Sequence, residues 1–79
     1  MMKSYEECRD IATERAEAFG ASINKAYQLG NDYVFENADE EFIGVLPMVV
    51  STETGDTSGL WQYLLDKDLT MDDMTEIDF

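Results

Sequence analysis

Near the start of the chain, apolar residues recur at steps of three and four positions, which is the period of one helix face. Ser4 and Glu7 have the S-x-x-E spacing of a capping box, and Gly20 follows the last apolar position as a left-handed cap. The pattern predicts a helix over residues 4–19, with Cys8 as a small core residue rather than a nucleophile. The apolar positions are Tyr5, Cys8, Ile11, Ala12, Ala16 and Phe19.

After Gly20 the pattern changes to alternation of apolar and polar residues, which is typical of half-buried strands. It predicts strands over about 22–29 and 32–37, joined by a two-residue Gly-Asn hairpin turn. Two further apolar runs, about 42–52 and 58–64, predict strands joined by a turn in which Gly55 supplies the positive φ. The predicted fold is α+β in a single domain over residues 1–79. One N-terminal helix packs on a four-stranded antiparallel meander, followed by a short helical or irregular acidic segment over 65–79.

The third predicted strand is apolar at both alternating sets of positions. The N-terminal helix can cover only one of its faces, so the other face needs the C-terminal segment, a second copy of the chain or a partner. The apolar residues of one face are Phe42, Leu46, Met48 and Val50, and those of the other face are Ile43, Val45 and Val49.

Pro47 in the same predicted strand has no N–H to donate to a ladder, so we expect it at a bulge or at an edge-facing position.

Trp61 and Tyr63 are two residues apart in the fourth predicted strand, so we expect both side chains on one face of that strand. If this face meets a partner, the two aromatic rings are the anchors. The alternative is that the chain covers its own sheet with the apolar residues of segment 65–79, where Thr70 caps a short helix. The pattern alone leaves both alternatives open.

The charge of the chain is strongly negative and unevenly distributed. Eighteen acidic and five basic side chains give a formal charge of −13, and from residue 38 onward Lys67 is the single basic residue. Because 44% of the residues are hydrophobic, we expect the chain to fold despite this charge. The surface should repel nucleic acid and anionic membranes and attract a basic protein, although acidity that serves only solubility is the alternative.

The residue types exclude the commonest catalytic and metal-binding chemistries. The chain has no histidine and one cysteine, which removes triads, thiolate metal sites and an internal disulfide. The tract from Asp66 to Asp72 has the spacing of half an EF-hand loop, but Met71 stands where that loop needs glycine and Ile77 where it needs glutamate. We therefore predict no enzyme activity, no cofactor and no metal site.

The sequence also bears on location. The first residues lack the basic region and apolar run of a signal peptide, and no apolar stretch approaches the ~20 residues of a membrane span. The expected location is cytoplasmic.

Four short motifs follow one another within residues 4–64. They are Tyr5–Glu7 at the helix start, Tyr33–Phe35 in a strand, Gly44–Val50 with a glycine-x-x-proline start, and Thr54–Gly55 in a turn. This order resembles the YrhB-like immunity proteins of bacterial polymorphic toxin systems. The resemblance implies an α+β fold and neutralisation of a toxin by direct binding, and it supplies no catalytic residue.

Charge, the two-faced strand and the missing catalytic groups together favour a small acidic cytoplasmic interaction protein of the immunity or inhibitor kind. It would bind a basic protein partner, with acidic side chains accelerating association and aromatic anchors holding the complex. The alternative is a structural homodimer without ligand chemistry, which buries an apolar sheet face against a second copy. The predicted partner-binding residues are Trp61, Tyr63, Asp66, Asp68, Asp72 and Asp73.

Overall fold

The computed structural model describes residues 2–37 and 46–79. Within these residues the strands form one five-stranded antiparallel sheet in the order β4-β3-β2-β1-β5. The fold is α+β as predicted, with one strand and one α-helix more than the sequence pattern indicated. In chain order the elements are α1 (Tyr5–Ala18), β1 (Lys25–Leu29), β2 (Asp32–Glu36), β3 (Met48–Val50), β4 (Thr57–Gly59), α2 (Leu60–Lys67), a 3-10 turn (Met71–Asp73) and β5 (Met74–Ile77).

Helix α1 begins and ends as its caps predict. The Glu7 N–H donates to Ser4 Oγ at 3.2 Å, and the Ser4 N–H donates to Glu7 Oε1 at 3.3 Å, so the capping box is confirmed. At the other end, Gly20 has a φ of +74°, which is the left-handed conformation that a helix C-terminus often requires. Cys8 and Ala12 are fully buried against the sheet, which confirms Cys8 as a core residue.

The β1–β2 hairpin also forms as predicted. Leu29 pairs with Asp32 across Gly30 and Asn31, and Gly30 has a φ of +62°, as a tight two-residue turn needs. Gly55 has a φ of +80° in the β3–β4 connection, which confirms the second turn. The strands are shorter than predicted, and residues 42–45 of the third predicted strand lie outside the described residues.

Pro47 lies immediately before β3 rather than within it. Its carbonyl accepts a hydrogen bond from the Leu60 N–H at 3.2 Å, which joins the start of α2 to the start of β3. Because a proline lacks an N–H, a position just outside the ladder is one of the few it tolerates.

A fourth strand pairs antiparallel with β3 as predicted, but its predicted extent over 58–64 was wrong. Strand β4 ends at Gly59, and helix α2 begins at Leu60. A helix places Leu60 and Leu64 on one face, and both are buried against the sheet at 1% and 8% exposure. Because residues four apart also share a face in a strand, the apolar run by itself is compatible with either conformation.

The segment 65–79 is more ordered than predicted, and the four-stranded meander was therefore wrong. Thr70 does occupy the N-cap position of the 3-10 turn: its carbonyl accepts from the Asp73 N–H at 3.0 Å, and its N–H donates to Asp73 Oδ2 at 2.9 Å. The chain then forms β5, which pairs antiparallel with β1 from Ala26 opposite Ile77 to Leu29 opposite Met74. The last strand in sequence thus lies beside the first.

The sheet is buried on both faces by the chain itself. On one side α1 covers Phe35, Met48 and Val50, and on the other side α2 covers Val34 and Val49. The prediction of a two-faced third strand is confirmed for its described residues. The second face is covered mainly by Leu60 and Leu64 of α2, with Leu69 and Met74 of the C-terminal segment packed beside them.

Candidate interaction surface

Helix α2 is apolar on its outer as well as its inner side. Trp61 is 48% exposed and Leu65 is 78% exposed, although the same helix buries Leu60 and Leu64. Residues four apart on a helix are neighbours on its surface, so Trp61 and Leu65 form one short exposed ridge, which we refer to as the α2 ridge. Single exposed apolar side chains need no explanation, whereas two adjacent ones form a small contiguous apolar patch.

Exposed carboxylates follow the α2 ridge along the chain. Asp66 accepts a hydrogen bond from Gln62 Nε2 at 2.9 Å, and Asp68 adopts the left-handed conformation that ends α2. Lys67 Nζ lies 6.0 Å from the centroid of the Tyr63 ring, so this cation is directed back onto the helix. We refer to the carboxylates as the acidic segment, which consists of the exposed residues Asp66, Asp68, Asp72, Asp73, Glu76 and Asp78.

The structure separates Tyr63 from Trp61, which the predicted strand had placed on one face. Two residues along a helix differ by about 200° in direction, so the rings are directed to different sides. Tyr63 is half-buried, and its hydroxyl donates to Asp32 Oδ2 at 2.6 Å. Of the predicted partner-binding residues, Trp61 and the four aspartates are on the surface, whereas Tyr63 is engaged within the fold.

Asp32, which the sequence pattern did not single out, connects three parts of the molecule. Its Oδ1 accepts from the Thr52 N–H at 2.9 Å and lies 3.2 Å from Thr52 Oγ1, while its Oδ2 accepts from Tyr63. Thr52 is only 3% exposed, and its hydroxyl also lies 2.9 Å from the Asn31 carbonyl oxygen. Asp32 thereby fixes α2 relative to the sheet and sets the direction of the α2 ridge.

The ionisation of Tyr63 reports on this arrangement. Burial, together with the hydrogen bond to the Asp32 carboxylate and its negative charge, raises the pKa of Tyr63 above its usual value of ~10. A phenol whose pKa is raised in the folded state contributes stability below pH ~10, and the contribution is lost as pH rises through the folded-state value. We expect the free energy of unfolding to decrease in alkaline solution, with a late tyrosinate absorbance step.

Burial also raises the pKa of Tyr5 and Tyr27, so the assignment of the late step needs a variant. Tyr63→Phe should remove that step from the spectrophotometric titration and leave the earlier ones in place. A titration whose last step is unchanged by this substitution would show that Tyr63 is not held by Asp32.

Within 2–37 and 46–79, no group of three acidic or cysteine side chains is placed to hold a metal ion. An open cleft of about 350 Å³ lies beside Trp61, between the end of α1, Pro47 and β4. Its described lining contains Arg15 and neither a carboxylate nor a thiol.

No protein-family model, curated protein or solved structure matches the chain. Neither helix in the described parts of the chain is long and apolar enough to cross a membrane. The α2 ridge and the acidic segment are neighbours along the chain, one apolar and exposed and the other anionic and exposed.

Proposed function

We propose that this protein is a small acidic, cytoplasmic interaction protein of the immunity or inhibitor kind, which binds a basic protein partner. The binding surface consists of the α2 ridge, Trp61 and Leu65, together with the acidic segment that follows it. The observation that carries the proposal is that this apolar ridge stays exposed on a firmly anchored helix and is followed directly by carboxylates.

The ridge provides the apolar part of the interface. Fully burying a leucine side chain is worth about 2 kcal/mol, and Leu65 has 78% of its surface available for that purpose. Tryptophan is among the residues that most often dominate binding energy at interfaces. Because Leu60 and Leu64 already hold α2 against the sheet, the ridge is ordered before binding, and little further entropy is lost.

The acidic segment provides attraction and selectivity. Carboxylates on one surface accelerate association with a positively charged protein and weaken association with nucleic acid and anionic lipid. This attraction is screened beyond about 8 Å at physiological salt, so the affinity should fall as salt is added. The resemblance to YrhB-like immunity proteins supports the same role, since that role consists of direct binding without catalysis.

The homodimer alternative is less well supported than the basic partner. Within the described residues, the second sheet face is covered by Leu60 and Leu64 rather than left open for another copy. Two copies, each with a formal charge of −13, would also repel one another. A basic partner of a different kind therefore fits the surface better than a second copy does.

The proposal is tested with three immobilised proteins: the wild type, the Trp61→Ala/Leu65→Ala variant, and a Phe19→Ala control. Phe19 is 59% exposed at the end of α1, so this control removes a comparable exposed aromatic ring from another surface. A basic protein is first captured from cell lysate at low salt, and it is then purified and titrated against each variant at two salt concentrations.

We expect the double variant to bind at least about thirtyfold more weakly than wild type, since loss of a dominant anchor costs 2 kcal/mol or more. The Phe19→Ala control should bind like the wild type, and salt should weaken binding to both. Equal binding by all three proteins, or no salt-sensitive partner, contradicts the proposal. A dimer mass in sedimentation would then favour the homodimer.

A further inference from the structure

Strand β5 forms one edge of the sheet, and within the described residues it pairs with β1 alone. The direction of its free backbone groups follows from the hairpin. Leu29 and Asp32 close a two-residue turn, which makes them a hydrogen-bonded pair, and the ladder then alternates along β1. Ala26 and Gln28 therefore direct their backbone groups toward β5, where they lie opposite Ile77 and Thr75.

The same alternation directs the backbone N–H and C=O groups of Glu76 and the C=O of Met74 away from β1, toward the open edge. The Met74 N–H already donates to the Met71 carbonyl at the end of the 3-10 turn. Strand β5 is regular, with four consecutive residues in register and neither a proline nor a bulge. Open edges of this kind are ready to pair with another extended segment.

The opposite edge, β4, is less suitable for such pairing. It has three residues, Thr57–Gly59, and the chain turns directly from Gly59 into α2. The first N–H of α2 is already bonded to the Pro47 carbonyl. A strand added at β4 would therefore find few consecutive backbone positions.

Charge determines which segment fits at β5. Glu76 and its neighbours Asp72, Asp73 and Asp78 are exposed, and Lys25 on β1 lies 3.9 Å from Glu76 between Nζ and Oε1. A second copy of β5 would place like charges opposite one another, which destabilises a strand pair. A segment with lysine or arginine would place opposite charges there instead.

We infer that the β5 edge binds an extended lysine- or arginine-bearing segment of the basic partner as a sixth strand. The inference rests on the proposed function, since it specifies the form that the partner's segment takes. Main-chain hydrogen bonds to the N–H and C=O of Glu76 and to the C=O of Met74 set the register, and a basic side chain opposite Glu76 provides selectivity. Met74 packs on the α2 side of the sheet and Ile77 on the α1 side. Glu76 shares the face of Met74, so a basic side chain opposite Glu76 lies on the α2 side.

The test compares Glu76→Pro with Glu76→Gln. Both substitutions remove the same charge, but only proline removes the N–H that is directed to the open edge. Proline is tolerated on an edge strand when its missing N–H faces outward, so the β1–β5 ladder should persist. The probe is a labelled nine-residue peptide of alternating lysine and valine, with an alternating glutamate and valine peptide as its control.

We expect the wild type to bind the basic peptide and not the acidic one, and Glu76→Gln to bind it somewhat more weakly. Glu76→Pro should bind about tenfold more weakly than Glu76→Gln, because a main-chain hydrogen bond and the fit of the added strand are both lost. Equal binding by the two variants overturns the inference, since the attraction would then be electrostatic without strand addition. Binding of the acidic peptide as tightly as the basic one overturns it as well.

A second measurement does not depend on the folding of Glu76→Pro. The basic peptide with methyl groups on alternate backbone nitrogens cannot donate along one edge, and it should bind wild-type protein about tenfold more weakly. Unchanged binding of the methylated peptide overturns strand addition. A partner that loses affinity for Trp61→Ala/Leu65→Ala but not for Glu76→Pro would leave the proposed function standing while the edge inference fails.

Discussion

Replacing Phe35 with alanine is expected to leave most of the protein unfolded at 25 °C. Phe35 is fully buried in β2, and its ring centroid lies 5.9 Å from that of Tyr5 and 6.5 Å from that of Phe79. Removing a buried phenylalanine side chain costs about 3–5 kcal/mol through lost burial and the cavity left behind. The total stability of a domain this small is about 3–5 kcal/mol, so the loss is comparable with the whole.

The measurement is urea unfolding followed by far-ultraviolet circular dichroism. Phe19→Ala is the matched control, since Phe19 is 59% exposed and its removal should change the free energy of unfolding by no more than about 0.5 kcal/mol. If Phe35→Ala unfolds at the same urea concentration as the control, the α1 side of the sheet is not packed as described.

Asp32→Ala is expected to lower the free energy of unfolding by about 2–4 kcal/mol, which is the second largest predicted effect on stability. The substitution leaves the Thr52 N–H and the Tyr63 hydroxyl without their acceptor, and hydrogen bonds to a charged group contribute about 1.5–3 kcal/mol each. Thr52 is buried, so water cannot readily replace the lost partner. The loss should appear as a lower urea midpoint and as greater exposure of α2 to proteolysis.

A double-mutant cycle with Tyr63→Phe separates this effect from general damage. Tyr63→Phe removes only this one hydrogen bond and should lower the free energy of unfolding by about 1.5–3 kcal/mol. If the bond is formed, the cost of Asp32→Ala and Tyr63→Phe together is smaller than the sum of the single costs. Strict additivity would show that Asp32 and Tyr63 do not interact and that α2 is held by packing alone.

Elements with a local signal could be predicted from the sequence. The S-x-x-E spacing of Ser4 and Glu7 and the Gly-Asn turn each fix their geometry within a few residues, and both form as expected. The run from Leu60 to Leu65 has no such signal, since it is apolar at both strand and helix spacing. Whether this run forms a strand or a helix depends on Val34 and Val49, which are distant in sequence. These two residues provide the surface that Leu60 and Leu64 cover.

Strand β5 was missed for a related reason. Its four residues are short, partly polar and largely exposed, so they carry no strand pattern of their own. Its formation depends on β1, which precedes it by more than forty positions.

The sequence could indicate which residue types form the candidate surface, but it could not indicate how they are arranged in space. The exposed aspartates and Trp61 could be chosen from charge and residue type, but the pairing of Trp61 with Leu65 requires α2 to be a helix. Asp32 looked like an ordinary residue at the end of a hairpin turn. Its importance comes from Thr52 and Tyr63, which only the tertiary fold brings to it.

The position of β5 beside β1 also determines when the fold can be completed during synthesis. The β1–β2 hairpin can form as soon as it leaves the ribosome, because its contacts are local. The outer side of β1, from Ala26 to Leu29, has no partner until β5 has been translated. The nascent chain therefore exposes an open strand edge until Ile77 has emerged. Pairing β5 with β1 then closes a long loop of the chain, which carries an entropic cost.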